Sequence, residues 1–174
     1  GTKSFLTDLL KGALKNNDFR KQFSLTFMDI ANYNFSSDRV NSLISKYSDQ
    51  YKQIAADTLA AFYNDRNGSS TFSGAVSTVK SFYSERYKNI TSSLKNTCSL
   101  SGNLASVTVK NDAKCGTVSV NTLTPDMSSG SYTGKYYTDF PVTVKAVPAF
   151  GYSFSGWQLS DGTVVKSNNT EITV

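Results

Sequence analysis

The sequence predicts an α+β protein of two domains: an all-α helical region at residues 1–97 that contains a long antiparallel helix pair, and a small antiparallel all-β module at residues 98–174. Up to about residue 94, apolar residues recur every three or four positions, as in amphipathic helices, and beyond it they alternate with polar residues, as in half-buried strands. All three prolines lie in the second part, at places where a strand would begin or end and a missing N–H donor is tolerated.

Four helices are predicted in the first domain. Phe19, Phe23 and Phe27, four residues apart, mark the inner face of the second one. The two longest helices, of about 26 residues each, would span roughly 39 Å at ~1.5 Å per residue. Because the polar turn "NDRNGSS" between them is short, we expect them to pack antiparallel with their apolar stripes buried against each other. The helices are predicted at residues 3–15, from about residue 18, at 37–63 and at 71–96.

The second domain is predicted to consist of short strands. "LASVTVKN" and "GTVSVNT", separated by "DAKC", indicate a hairpin, and "SYTGKYY", "PVTVKAV", "YSFSGWQL" and "TEITV" supply the remaining strands. A regular strand through "GYSFSGW" would place Phe154 and Trp157 on opposite faces. We expect a bulge at Ser155–Gly156 that brings both rings into the core. The alternative leaves Trp157 exposed as a platform for stacking on a sugar.

Composition and charge exclude several classes of partner. The hydrophobic fraction of 39% and the charged fraction of 18% are those of a globular protein. No apolar run reaches the roughly 18–20 residues that span a bilayer, so no membrane span is predicted. The net charge of +5 lies in residues 1–95, which hold thirteen Lys and Arg against eight Asp and Glu. These cations alternate with Asp at helical spacing, as on a solvated helix face, so no nucleic-acid partner is predicted.

The residue types that most enzymes rely on are scarce. The chain has no His, the commonest general base and metal ligand. It also has no G-x-x-x-x-G-K-[ST] phosphate loop, no G-x-G-x-x-G after a strand, no G-x-S-x-G elbow and no complete calcium loop. We therefore predict no catalytic residue, no cofactor and no metal site, and no enzymatic activity of this chain by itself.

The two cysteines, Cys98 and Cys115, flank the change from helical to strand periodicity. A disulfide between them would suit a secreted protein and would stabilise the fold by about 3 kcal/mol in the chain-entropy model. Two unpaired, half-buried thiols are equally compatible with the sequence. No third or fourth ligand accompanies them, so they do not indicate a zinc site.

Aromatic side chains are the only candidates for a binding site. Five of them in the β module would form a contact face for carbohydrate or protein if their rings were exposed side by side. If the module is instead a spacer, most of these rings should be buried. The five candidates are Tyr132, Tyr136, Tyr137, Phe150 and Trp157.

The helical part resembles the C-terminal region of CotH-type proteins, the spore-coat and surface family with an atypical kinase-like fold. The family pattern "N-x-x-F-[KR]-x-x-F", then "D-[LI]-x-N-x-x-F-S", then "R-V" at the start of a long helix is matched, as is a following "F-x-x-x-R-x-x-x-[IV]" helix. The matching positions are Asn16 or Asn17 with Phe19, Arg20 and Phe23, then Asp29, Ile30, Asn32, Phe35, Ser36, Arg39 and Val40, and finally Phe82, Arg86 and Ile90.

The strand part resembles divergent internalin B-repeat-like modules of bacterial surface proteins. It shares the pattern "A-x-P-x-x-G-Y-x-F-x-x-W" in "AVPAFGYSFSGW", and the same kind of module often follows CotH-type regions in clostridial members. In the CotH-type family the residues for nucleotide, metal and phosphoryl transfer lie upstream of the matching stretch. The resemblance therefore transfers no catalytic residue to this chain.

Together the two resemblances imply a non-catalytic segment of an extracellular, cell-surface or spore-coat protein. The helices would support an upstream kinase-like domain of the same protein, and the β module would act as a spacer or attachment unit. Other partners implied are surface or spore-coat proteins or carbohydrate. Without the upstream domain, we expect self-association through an uncovered apolar face formed by Phe5, Leu9, Phe19 and Phe23.

Overall fold

The computed structural model describes residues 5–166 and 169–174 and has the predicted α+β fold. Four helices precede a set of short antiparallel strands. The predicted start of the first helix, at residues 3 and 4, lies outside the described residues. The helices are α1 Phe5–Ala13, α2 Asn17–Tyr33, α3 Ser37–Tyr63 and α4 Gly68–Thr97, and the strands are β1 Leu104–Lys110, β2 Gly116–Val120, β3 Ser131–Tyr137, β4 Thr143–Pro148, β5 Trp157–Gln158, β6 Val164–Val165 and β7 Glu171–Thr173.

The chain divides into two compact units. One comprises the described residues up to Asn32 together with Ser93–Val174, and the other comprises Tyr33–Ser92. The predicted domain boundary between residues 97 and 98 follows the change of hydrophobic period. In the structure, α1 and most of α2 belong to the same compact unit as the strands. We call these the strand unit and the hairpin unit.

In the strand unit, local polar groups set the start of α2. Asn16 Oδ1 accepts a hydrogen bond of 3.0 Å from the Phe19 N–H, which satisfies one of the free donors of the first turn. Met28 and Ala31 on α2 are buried, whereas α1 has no buried residue. The predicted break at the two asparagines is therefore present, and α2 is the helix that contributes to the core.

In the hairpin unit, α3 and α4 run antiparallel, as predicted. Lys80 Nζ donates a hydrogen bond of 2.9 Å to Ser45 Oγ, and a Cβ added at Gly68 would lie 2.8 Å from the Ala56 carbonyl oxygen. Positions 45 and 80, and 56 and 68, are thus neighbours, and this order requires opposite helix directions. Glycine at position 68 allows the backbones to approach closely at the start of α4.

The predicted burial of the α3 stripe is wrong over much of its length. Val40 is buried, but Tyr47 and Tyr51 are about half exposed and Phe62 is 81% exposed. A helix with one neighbouring helix can cover only one flank of its apolar stripe, so the remaining flank faces solvent. Tyr47 and Tyr51 instead stack on each other, with ring centroids 6.4 Å apart.

The strands form three small antiparallel sheets. Their orders are β1-β3, β2-β4-β7 and β5-β6. The predicted hairpin of β1 with β2 is therefore wrong, since each strand pairs within a different sheet. The turn between them is held by its own polar groups: Asn111 Nδ2 donates to the Gly116 carbonyl at 2.9 Å, and Asp112 Oδ1 accepts from the Lys114 N–H at 2.9 Å. This turn takes the chain out of the first sheet and into the second.

Register places one apolar face on each of the two larger sheets. In the first sheet, Val109 is opposite Tyr132 and Ala105 is opposite Tyr136. In the second, Val118 is opposite Ala146, and Val144 lies between Val120 and Ile172. Since alternate residues of a strand point to the same side, each set lines one face. The buried members are Val109, Val118, Val120, Tyr132, Tyr136 and Val144.

Phe154 and Trp157 contact each other, with ring centroids 5.3 Å apart. Residues 152–156 are irregular instead of forming the predicted long strand, and Gly156 has a φ of +147° that a side chain rarely adopts. This break re-aims the Trp157 ring, as the predicted bulge would. Both rings are half-buried, so the prediction that both lie in the core is wrong.

Candidate functional site

The five aromatic residues predicted as a binding face do not lie on one exposed surface. Tyr132, Tyr136 and Tyr137 are buried, Trp157 is half-buried, and Phe150 is fully exposed. The first two project from the inward face of β3, and the Tyr137 ring lies 5.5 Å from Lys95 Nζ. Tyr132 and Tyr136 share the inward face of β3, whereas the adjacent Tyr137 is buried on the opposite face, so partners from other elements cover both faces at this end of the strand.

Tyr136 instead reaches a buried carboxylate. Its hydroxyl donates a hydrogen bond of 2.9 Å to Asp29 Oδ1 on α2, and it lies 3.2 Å from the Tyr132 hydroxyl. Burial raises the pKa of Tyr136 far above the ordinary tyrosine value, and the neighbouring Tyr132 and the Asp29 charge raise it further. Tyr136 therefore keeps its proton and remains a donor to Asp29.

Three further donors complete the surroundings of Asp29. Asn121 Nδ2 donates to Oδ1 at 3.1 Å, and Thr122 donates to Oδ2 from its backbone N–H at 3.1 Å and from its hydroxyl at 2.8 Å. The side chain is 2% exposed and has no cationic partner among these contacts. Four donors occupy the acceptor sites of the two carboxylate oxygens, so the hydrogen-bonding capacity of Asp29 is satisfied by the protein itself. This arrangement attaches α2 to the strands; it does not present a reactive group.

Asn32 makes a second attachment one helical turn further on. Its Nδ2 donates to the Lys135 carbonyl at 2.8 Å, and its Oδ1 accepts from the Lys135 N–H at 3.1 Å. The side-chain amide thus pairs with β3 as a neighbouring strand would. A Cβ at Gly134 would lie 3.1 Å from Asn32 Nδ2 and 2.7 Å from the Tyr132 hydroxyl, so glycine leaves room for both side chains. Sequence reasoning missed both attachments, although Asp29 and Asn32 stand in the motif that carried the family resemblance.

Asp139 holds the connection between α4 and β1. Its Oδ1 accepts from the Ser101 N–H at 2.8 Å and its Oδ2 from the Gly102 N–H at 2.9 Å. Partial burial acts to raise the pKa of Asp139, but these hydrogen bonds outweigh it and lower the pKa below the ordinary Asp value. The Asp139 carboxylate therefore contributes to the stability of the fold, and this contribution depends on pH.

We expect the Asp139 contribution to disappear in acid. Because its folded-state pKa is lowered, the stabilisation is fully present above the unfolded-state pKa of about 3.9 and is lost as the pH falls through the folded-state value. Asp139→Asn should lower the free energy of unfolding by about 1–2 kcal/mol at pH 7 and by much less at pH 2.5. Urea unfolding of both proteins at the two pH values measures this, and an equal difference at both would contradict it.

Phe150 occupies the tip of a tight turn between β4 and β5. The Tyr152 N–H donates to the Ala149 carbonyl at 3.0 Å, and Gly151 has a φ of +85°, which suits glycine in a turn. Phe150 is thereby held out in solvent, and Tyr152 beside it is 54% exposed. Of the five residues predicted as a binding face, Phe150 is the one that is fully exposed.

A groove of about 1540 Å³ opens between the two larger sheets. Residues of β1 and the end of β3 line one side, residues of β2, β4 and β7 line the other, and the lining includes polar side chains such as Ser106, Thr108 and Thr117. The irregular segment from Tyr152 to Asp161, with Trp157, borders it. We refer to this space as the inter-sheet groove.

Cys98 and Cys115 are free thiols in the structure. Cys98 is buried after the end of α4, and Cys115 is half-buried in the turn before β2, where it lines the inter-sheet groove. Of the two arrangements that the sequence allows, the structure has the unpaired one.

Within residues 5–166 and 169–174, no three His, Cys, Asp or Glu side chains come together in a way that could hold a metal ion. Over the same residues, no helix combines the length and the apolar character that a membrane crossing requires. The Asp29 and Asp139 carboxylates accept hydrogen bonds from groups of the protein itself.

Comparison with known proteins bears on the strand unit. Neither the curated proteins nor the solved structures include a match to this chain. The residues from β1 to the end of the chain, 105–174, match the family model of the divergent InlB B-repeat domain, which confirms the internalin B-repeat resemblance of the β module.

Proposed function

We propose that this chain is a non-catalytic segment of a secreted or surface protein and that its β module serves as a spacer or attachment unit. The match of residues 105–174 to a divergent InlB B-repeat domain carries the proposal, because such a module fits a surface-associated repeat or spacer. The burial of Tyr132, Tyr136 and Tyr137 supports a spacer, since these rings serve the core and the α2 attachment.

The helices, in this proposal, come from the tail of a CotH-type kinase-like domain and support its core. The exposed face of α1 favours a missing partner surface: Phe5 is 77%, Leu6 71% and Leu9 58% exposed. Contiguous apolar side chains of this kind usually find another surface. A second copy of the chain would cover the same face when the upstream domain is absent.

A second candidate function is contact with a protein or carbohydrate through the Phe150 tip. The observation that favours it is the full exposure of Phe150 on a turn held by Gly151. Aromatic side chains that are rigidly presented contribute strongly to recognition. The two functions differ in whether saturable binding depends on Phe150.

One experiment separates these functions. The purified chain and its Phe150→Ser variant are titrated with isolated bacterial cell walls. In a separate assay, phosphotransfer from ATP is followed with Mg²⁺ or Mn²⁺. A spacer gives no saturable binding with either protein, an attachment unit gives saturable binding that Phe150→Ser leaves unchanged, and neither gives phosphotransfer. Saturable binding that Phe150→Ser weakens tenfold or more would establish the second function. Phosphotransfer by the chain alone would overturn the non-catalytic proposal.

A further inference from the structure

Helix α3 carries a heptad pattern along one side. Its large apolar residues, with Thr58 after them, recur at alternating spacings of three and four, the repeat that places positions a and d of each heptad on one seam. Ile44, Tyr51 and Thr58 take position a, and Tyr47 and Ile54 take position d. We call these five residues the α3 seam.

The neighbouring helix α4 packs against a different side of α3. Ser45 on α3 accepts a hydrogen bond of 2.9 Å from Lys80 on α4. A Cβ added at Gly68 of α4 would lie 3.1 Å from the Ala56 Cα and 3.2 Å from the Leu59 Cβ. In this heptad Ser45 and Leu59 take position b and Ala56 takes position f, which lie on the outer side of a helix whose seam is at a and d. These contacts with α4 therefore lie away from the α3 seam.

The middle of the α3 seam is exposed. Tyr47, Tyr51 and Ile54, with Leu43 beside them at position g, are each between 42% and 62% exposed. At about 200 Å² for a fully exposed side chain of this size, they together present roughly 400 Å² of mainly apolar surface. A standard interface takes about 800 Å² from each partner, of which a little more than half is apolar. The seam with Leu43 thus supplies about the apolar area that one partner of a stable dimer needs.

The heptad pattern indicates which partner fits the seam. Side chains at a and d fit between those of a facing helix that has the same repeat. Helix α3 of a second copy has this repeat over the same length, and a twofold axis pairs the seam with itself. Tyrosine suits such a contact because its ring is apolar and its hydroxyl can stay hydrated at the edge. Tyr47 and Tyr51 also stack on each other, so less side-chain freedom is lost when they pair.

The charges around the seam do not oppose the pairing of two identical copies. In paired helices, residues at e and g flank the seam, and like charges there would repel a second copy. Lys46, Asp49 and Lys52 take positions c, f and b, on the outer side of the helix. Asp57 is the charged residue among those that flank the seam, which are Asn41, Leu43, Ser48, Gln50, Ala55 and Asp57.

We propose that the hairpin unit binds a second copy of this chain, with the two α3 seams packed against each other across a twofold axis. The two hairpins then form one helical bundle, in which the α3 helices are central and the α4 helices are outside. This surface is separate from the exposed face of α1, and the inference does not rest on the proposed function.

Sedimentation velocity of the whole chain over a wide concentration range tests this pairing. We expect a reversible equilibrium between monomer and dimer. Ile54→Lys should weaken the dimer tenfold or more, because it buries a charge at the centre of the contact. Tyr63→Lys is the matched control: Tyr63 is also exposed on α3 but takes position f, so the dimer affinity should stay within twofold. Circular dichroism checks that both variants keep their helices, which lysine favours.

Thr58→Leu should act in the opposite direction and strengthen the dimer several-fold, because it places an apolar side chain at position a. Its control is Thr78→Leu on α4. Both threonines are exposed, and each donates from its hydroxyl to the carbonyl four residues earlier, of Ile54 and Gly74 respectively. The two variants therefore lose the same local hydrogen bond, and Thr78→Leu should leave the dimer affinity unchanged.

A chain that remains monomeric at every concentration would overturn the proposal, and so would equal weakening by Ile54→Lys and Tyr63→Lys. Leu9→Lys separates this surface from the exposed face of α1. A dimer that Leu9→Lys dissociates and Ile54→Lys leaves intact would place self-association on α1 and overturn the pairing of α3. Dissociation by Ile54→Lys beyond that of its control, with or without an effect of Leu9→Lys, supports the α3 seam.

Discussion

Replacing Asp29 by alanine should lower the free energy of unfolding by about 3–5 kcal/mol. The change removes the acceptor of four hydrogen bonds, from Tyr136, from Asn121 and twice from Thr122. The Tyr136 hydroxyl, which is buried, would then be left without this acceptor. Since small proteins are stable by only about 5–15 kcal/mol, a loss of this size removes much of the total. Urea unfolding followed by circular dichroism measures it.

Asp18→Ala is the control for this experiment. Asp18 lies on the same helix but is exposed in its first turn, so its loss should cost less than about 1 kcal/mol through the helix dipole. Asp29→Asn retains the shape but presents an N–H₂ group to donors, so we expect a result between the two. If Asp29→Ala and Asp18→Ala were equally mild, the buried carboxylate would not be holding α2 to the strands.

Gly116→Ala should destabilise the strand unit by about 3 kcal/mol or more, from backbone strain and steric conflict together. Gly116 has a φ of +154°, and a Cβ there would collide with the Val147 carbonyl oxygen and lie 2.9 Å from the Pro148 Cα. Both neighbours are backbone atoms of β4, so no side chain can move aside. Because β2 enters its sheet at this residue, the loss should appear as weakened pairing of β2 with β4.

The same substitution at Gly74 provides a control with the opposite sign. Gly74 lies within α4, and a Cβ there meets nothing within 4 Å. Alanine is preferred to glycine in a helix interior, so Gly74→Ala should raise stability by about 0.5–1 kcal/mol. Thermal unfolding of the two variants side by side tests both signs, and destabilisation of similar size in both would show that the close approach at Gly116 is not the cause.

The helices follow from local sequence to a large extent. Their apolar spacing, the asparagines before α2 and the polar turn before α4 are all nearest-neighbour signals, and the observed ends lie within about three residues of those predicted. Burial was less predictable. A periodic stripe indicates which face of α3 is apolar, but whether Tyr47 and Phe62 are covered depends on how many other elements reach that face.

For the strands, the positions in the chain were predictable but the pairing was not. Alternation identified β1, β2, β3 and β4 closely, yet the pairing of β1 with β2 was wrong because the choice of partner depends on distant residues. The aromatic binding face failed for the same reason. Nothing near Tyr136 in the chain indicates a carboxylate, since Asp29 lies more than a hundred positions away.

By itself, the sequence determined the α+β class, the order of elements and the internalin B-repeat resemblance of the β module, because each depends on short-range patterns. The tertiary structure alone decided the attachment of α2 to the strands through Asp29, and the open groove between the sheets. Both arise where residues far apart in the chain meet, and at Asp29 the burial that results sets the energy of the carboxylate.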